Sequence, residues 1–139
     1  REALAVGVGL VSPETIVRDG IAAANRQAML AALADLARWP DFLLIDYLRL
    51  PQTGLPQQAI KQGDQKSLSI AAASILAKVT RDRLMVELAG RYPEYGFDRH
   101  KGYGTRDHRE AIRRLGVLPV HRHSWAPFHE LAPAGLEGV

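Results

Sequence analysis

The sequence predicts an α/β domain with a partly parallel sheet, and three observations carry that prediction. Short apolar runs alternate with longer stretches whose apolar residues recur every three to four positions, the pattern of strands joined by helical crossovers. Proline, glycine and serine fall at the boundaries, as at Ser12-Pro13, Pro40 and Gly116. With 139 residues, 47% hydrophobic and 24% charged, the chain has the size and composition of one globular domain.

Residues 3–11 are apolar and glycine-rich without a helical period, which suits a strand buried on both faces or one close to another backbone. Ser12 and Pro13 end it. Over residues 14–38, Val17, Ile21, Ala24, Ala28, Leu33 and Leu36 approximate a 3.6-residue period, so an amphipathic helix follows, broken near Gly20 and stopped by Pro40. Residues 42–45 form a short strand ending at Asp46, residues 51–56 a loop, and residues 58–61 a weaker strand ending at Gly63-Asp64. A long helix over 67–89 opens on Ser-Leu-Ser-Ile-Ala-Ala-Ala-Ser, whose serines cap well and whose small residues let the backbone lie close against a sheet. Residues 92–104 make a loop. Thr105 caps a short helix that ends at Leu115, with Gly116 as its stop and an irregular tail over 119–127. With no repeat and no linker, residues 1–139 are expected to be a single domain with a helical, basic C-terminal part.

Composition excludes several chemistries. Without cysteine there are no disulfides, thiolate metal sites or cysteine nucleophiles, and a reducing compartment stays open to the chain. No apolar stretch approaches the roughly 18 residues of a membrane helix, and the start lacks the pattern of a secretory signal, so the expectation is a cytoplasmic protein with no membrane partner. The net charge of +3 is unevenly spread: residues 99–123 hold seven Arg and Lys against Asp107 and Glu110, a net +5. All five histidines lie between His100 and His129, so mild acid is expected to make this region more positive. Such a window suits either a phosphate-tracking surface or an ordinary solvated helix face.

Ligands in open α/β sheets gather beyond the carboxyl ends of strands. Asp46 and Asp64 stand at such ends, where two hard oxygen ligands could share Mg²⁺ or Mn²⁺, or where each could simply cap a turn. Asp82, flanked by arginines inside the long helix, reads as a local ion-pair partner. His121 and His123 share a face only on a strand, which makes a poor zinc set. No Gly-x-Ser-x-Gly turn supports a serine nucleophile, and Gly102 and Gly104 fit no phosphate loop. In the loop, Tyr103 sits between two glycines after Lys101, as a ring that stacks on a base or sugar beside a phosphate-holding cation would. Tyr92, Tyr95 and Phe97 suit packing of the loop onto the preceding helix.

Several long motifs resemble the ribonuclease HII family of the ribonuclease H superfamily over residues 5–128: Ile21-Ala-Ala-Ala-Asn-Arg-Gln-Ala-Met-Leu, Leu44-Ile-Asp46, Gly63-Asp64, Ser69-Ile-Ala-Ala-Ala-Ser-Ile-Leu-Ala-Lys-Val-Thr-Arg-Asp82, Tyr95-Gly-Phe, His100-Lys-Gly-Tyr-Gly-Thr105 and His121-Arg-His-Ser-Trp-Ala-Pro127. The resemblance implies a ribonuclease H-like mixed sheet flanked by helices. It implies cleavage of RNA in RNA·DNA hybrids, and of single ribonucleotides in duplex DNA, with Mg²⁺ or Mn²⁺. It assigns the third and fourth metal-binding carboxylates to Asp46 and Asp64, junction recognition to Tyr103, and phosphate contacts to Lys101 and Lys78.

The sequence also departs from that family. The family's Gly-x-Asp-Glu-x-Gly-Arg-Gly strand, bearing the first two carboxylates, and its Asp-Ser-Lys motif are absent from these 139 residues. Tyr47 stands where the family usually has glycine, crowding the metal edge, and Gln62 where it usually has lysine, weakening phosphate contact. In the resembling fold the absent strand lies between residues 3–11 and the strand ending at Asp46. Each unmade buried backbone bond costs about 1–3 kcal/mol against a net stability of about 5–15 kcal/mol. The expectation is therefore an N-terminally truncated chain, inactive alone and in need of the missing segment or a substitute. The alternatives are a non-catalytic nucleic-acid-binding module derived from that fold and, more remotely, a helix-turn-helix over residues 105–123.

Overall fold

The computed structural model describes residues 3–123. Contacts divide the chain into two compact units, residues 1–77 and 78–139, with the boundary inside one long helix.

The first unit opens with residues 3–12, which run without a hydrogen-bonded ladder. The expected strand over 3–11 therefore does not form: a strand requires a paired neighbour, and none faces it among the described residues. The alternative of a close backbone approach holds, because a Cβ on Gly9 would fall 1.8 Å from the Ala28 carbonyl oxygen. Val8 N–H donates instead to Asp35 Oδ2 at 2.9 Å. Ser12 then caps helix α1 (Pro13–Asp19), its hydroxyl accepting from Thr15 N–H at 3.3 Å. Gly20, at φ 80° and ψ 160°, is the predicted break; only glycine adopts that conformation readily. Helix α2 (Ile21–Ala34) follows and stops four residues before the expected Arg38.

Strands β1 (Leu43–Asp46) and β2 (Gln57–Ile60) pair in parallel, with Leu43 opposite Gln57 and Asp46 opposite Ile60. Leu43, Ile45 and Leu50 form a small core with Met29, Leu30 and Leu33 of α2. Gly63 and Asp64 lie beyond the strand, in the single turn α3 (Gly63–Lys66), not at its end. Helix α4 (Leu68–Arg91) is the long helix of the sequence. Its small residues do not meet a sheet: Ala72, Ala73 and Ser74 are exposed. Ala73 and Ser74 instead line a groove of about 620 Å³ together with Gly9, Ala28, Leu33 and Leu44.

In the second unit, the loop after α4 contains a 3-10 turn (Pro93–Tyr95) and the single turn α5 (Phe97–His100). Helix α6 (Arg106–Leu115) is capped by Thr105, whose Oγ1 accepts from His108 N–H at 3.3 Å, and ends at Gly116 as predicted. Tyr95, Phe97, Ala111 and Ile112 form its core, with Met85, Leu88 and Tyr92 against them. That is the packing role predicted for Tyr92, Tyr95 and Phe97. The Ser124-Trp-Ala-Pro127 portion of the last motif lies outside the described residues. No described helix is long and apolar enough to cross a membrane.

Candidate functional site

In the first unit, burial of Leu43 and Ile45 anchors β1 and delivers Asp46 at its carboxyl end, half-buried. Two left-handed residues frame the position. Tyr47, at φ 64°, turns the chain away while its N–H still donates to the Ile60 carbonyl at 3.0 Å. Gln62, at φ 57°, leads from β2 into α3. The Gly63 N–H then donates to Asp46 Oδ1 at 2.9 Å, tying the end of β1 to the residue before Asp64. Contact is tight here: a Cβ on Gly63 would lie 2.7 Å from Ile70 Cδ1 and 3.3 Å from Asp46 Cα. Asp64 itself is exposed. Its carboxylate and that of Asp46 are hard oxygen donors, the chemistry Mg²⁺ or Mn²⁺ prefers. Among the described residues no group of three or more His, Asp or Glu side chains is placed to hold a metal.

The other candidates belong to the second unit. Tyr103 is 60% exposed, and the Arg81 guanidinium carbon lies 5.3 Å from its ring centroid, a cation–π contact. Lys101 takes a left-handed conformation, φ 49°, and its Nζ donates to the Asp98 carbonyl. Lys78 Nζ pairs with Asp82 Oδ2 at 2.7 Å, raising the lysine pKa and lowering that of the aspartate. Asp82 is thus a local ion-pair partner, chiefly of Lys78. In the sequence Arg81 stands out only as a neighbour of Asp82. The signal was available in helical spacing, since the Lys78-Arg81-Asp82-Met85 positions share one side of α4.

Three histidines also meet here, and they are buried: His100 at 8%, His108 at 3% and His121 at 5% exposure. The rings of His100 and His108 stack at 4.2 Å, and Nε2 of His108 lies 3.1 Å from Nε2 of His121. Burial lowers the pKa of His108, and burial followed by repulsion from His108 lowers that of His121 to about 4. Desolvation therefore opposes the charging of these two in mild acid that the sequence suggested.

A family model described as ribonuclease HII matches residues 3–128. Ribonuclease HII of Bacillus mycoides (strain KBAB4) is 55% identical over 129 residues, covering 93% of this chain and 50% of its own length. The Bacillus cereus (strain ATCC 14579) protein of that name is 56% identical over 130 residues, covering 94% and 50%. The chain thus spans about half the length of these relatives. The crystal structure of ribonuclease H2 from Pyrococcus horikoshii OT3 superposes with a TM-score of 0.67 at 25% identity, covering 87% of this chain and 65% of that one. The motifs at Asp46, Gly63-Asp64 and Tyr103 sit within this matched span, and the chain belongs to the ribonuclease HII family.

Proposed function

We propose that these residues form part of a cytoplasmic, metal-dependent endonuclease that cleaves RNA in RNA·DNA hybrids and at ribonucleotides embedded in duplex DNA. The observation that carries this reading is the Asp46–Gly63 hydrogen bond, which ties the end of β1 to the turn that follows β2 and sets one carboxylate beside the backbone that bears the other. Asp46 and Asp64 are the proposed ligands of Mg²⁺ or Mn²⁺, which when bound activates water and stabilises the leaving oxygen at phosphorus. Tyr103 supplies a stacking face, Arg81 and Lys101 phosphate contacts, and Lys78 a further one once exchanged from Asp82.

Two carboxylates fit one hard ion with waters but fall short of a two-ion centre, which needs more negative charge. The 139-residue chain alone is therefore proposed to be inactive. The test is cleavage of a duplex with one embedded ribonucleotide, in Mg²⁺ and in Mn²⁺. No turnover by this chain is expected, and robust turnover refutes the inactivity. In a chain of the relatives' length bearing these residues, Asp46→Asn is expected to lower turnover ~100-fold or more; an unchanged rate refutes the ligand assignment.

A second reading, a nucleic-acid-binding module without catalysis, is favoured by the exposed Tyr103–Arg81 pair. Steep salt dependence of duplex binding with no divalent requirement supports it.

A further inference from the structure

The backbone around Tyr103 is held almost entirely by histidines. His100 Nδ1 accepts from Gly102 N–H at 3.1 Å, and the His100 carbonyl accepts from Tyr103 N–H at 2.9 Å. The Tyr103 carbonyl accepts twice, from Thr105 N–H at 2.8 Å and from His108 Nδ1 at 3.0 Å. Its ring, by contrast, is exposed.

These partners determine where the protons sit. A carbonyl only accepts, so His108 carries its proton on Nδ1 and its Nε2 is a lone pair. Leu118 N–H points at His121 Nδ1 from 2.8 Å, closer than the Leu118 carbonyl at 3.2 Å, which makes Nδ1 the acceptor and places the proton on Nε2. His121 Nε2–H then donates to His108 Nε2. The same logic gives His100 an Nε2 proton, donated to the Tyr95 carbonyl at 2.7 Å. With these partners each ring proton has one place. Phe97 lies edge-on to His100 and His108, at 5.7 Å and 5.6 Å, so the stack is walled by a ring that offers no competing partner.

We infer that His108 is a positioning residue: His121 locks it in the Nδ1–H form, and through the Tyr103 carbonyl it fixes the angle at which the Tyr103 ring meets nucleic acid. The nucleic-acid half rests on the function proposed above; the lock itself does not. Protonation of His108 at Nε2 removes the acceptor and breaks the Nε2–Nε2 bond, so the lock opens in acid; protonation of His121 at Nδ1 keeps that donor and instead opposes the Leu118 N–H. The titratable groups facing the pair are His100, against His108, and Tyr95 and His123, beside His121; His123 and His100 disfavour its charged form.

The first test uses the unmodified chain. Long-range proton–nitrogen NMR of labelled histidines at pH 7 is expected to show His108 protonated on Nδ1, with His100 and His121 protonated on Nε2. A His108 that is charged or protonated on Nε2 overturns the lock. Next, His121→Phe keeps a ring beside Tyr95 and Phe97 but removes the donor. It is expected to shift the Tyr103 ring resonances and to weaken binding of a ribonucleotide-containing duplex about 3- to 10-fold. Unchanged Tyr103 resonances overturn the inference. His108→Asn, whose amide N–H sits where Nδ1 does, is expected to keep near-normal binding, whereas His108→Gln loses it; equal losses indicate a merely structural role and also overturn it. Tyr103→Ala separates the two ideas: if it binds duplex as the unmodified chain does, the nucleic-acid reading fails while the tautomer and resonance results still judge the lock.

Discussion

Around Phe97 the side chains close on one another. The ring is 2% exposed, stacks on Tyr95 at 5.6 Å and meets three histidine rings, while the Tyr95 hydroxyl donates to the Gly116 carbonyl at 2.9 Å. Around Leu44 they do not. Leu44 is 42% exposed, Phe42 52% and Leu10 60%, and they border a groove with small residues on its walls. Composition differs between them, since all five histidines and three of the four tyrosines fall in the second unit, but the reach of their packing partners differs more. The second brings its packing partners from within about thirty-five residues of sequence. In the first, among the described residues, β1 and β2 each keep one edge without a ladder partner, and residues 3–12 run without one.

This contrast can be broken in several ways. Phe97→Ala is expected to cost about 3–5 kcal/mol in chemical denaturation, the range for deleting a buried ring, while Leu44→Ala costs about 1 kcal/mol or less. Equal losses remove the distinction between a closed and an open core. Acid sharpens it next. Every histidine lies at or after His100, and His108 and His121 have folded pKa values below the ordinary 6.5. The unfolded chain then binds more protons, so their stabilising contribution is full above pH 6.5 and is lost as pH falls toward about 4. Thermal melts between pH 7 and pH 5 are expected to drop by several degrees, with amides of α6 losing hydrogen-exchange protection. In the first unit Asp19, held at about 2 mainly by its bond from Arg18, then by Gln27, gives way only below pH 4.

Smaller effects probe the site edge. Gly63→Ala forces a methyl against Ile70 and the Asp46 backbone and is expected to cost about 1–3 kcal/mol. Tyr47→Gly should raise stability by up to about 1 kcal/mol, since a left-handed φ of 64° is unfavourable for a residue with a Cβ. Both are read from denaturation midpoints.

Local chemistry was legible in the sequence. Threonine at 105 and the glycines at 20 and 116 placed helix ends, and the apolar run before Asp46 placed β1, whereas Ser12, expected to end a strand, caps α1. Features that depend on distant partners were not. Residues 3–11 have strand composition, yet a ladder needs a second segment, and none pairs with them among the described residues. The histidines read as a titrating, charge-bearing group because their burial arises only when α5, α6 and the Leu118–His121 turn converge. Likewise the Asp46–Gly63 bond spans 17 residues and leaves no local trace.

Tyr47, Gln62 and Lys101 are the described non-glycine residues with positive φ. Each lies within two positions of Asp46, Asp64 or Tyr103, the residues singled out on chemical grounds. Erase every side chain, keep only the torsion angles, and the same three places on the ribbon stand out: unfavourable kinks persist where surrounding structure insists on them, and so the bare trace alone serves as a map for choosing where to mutate first.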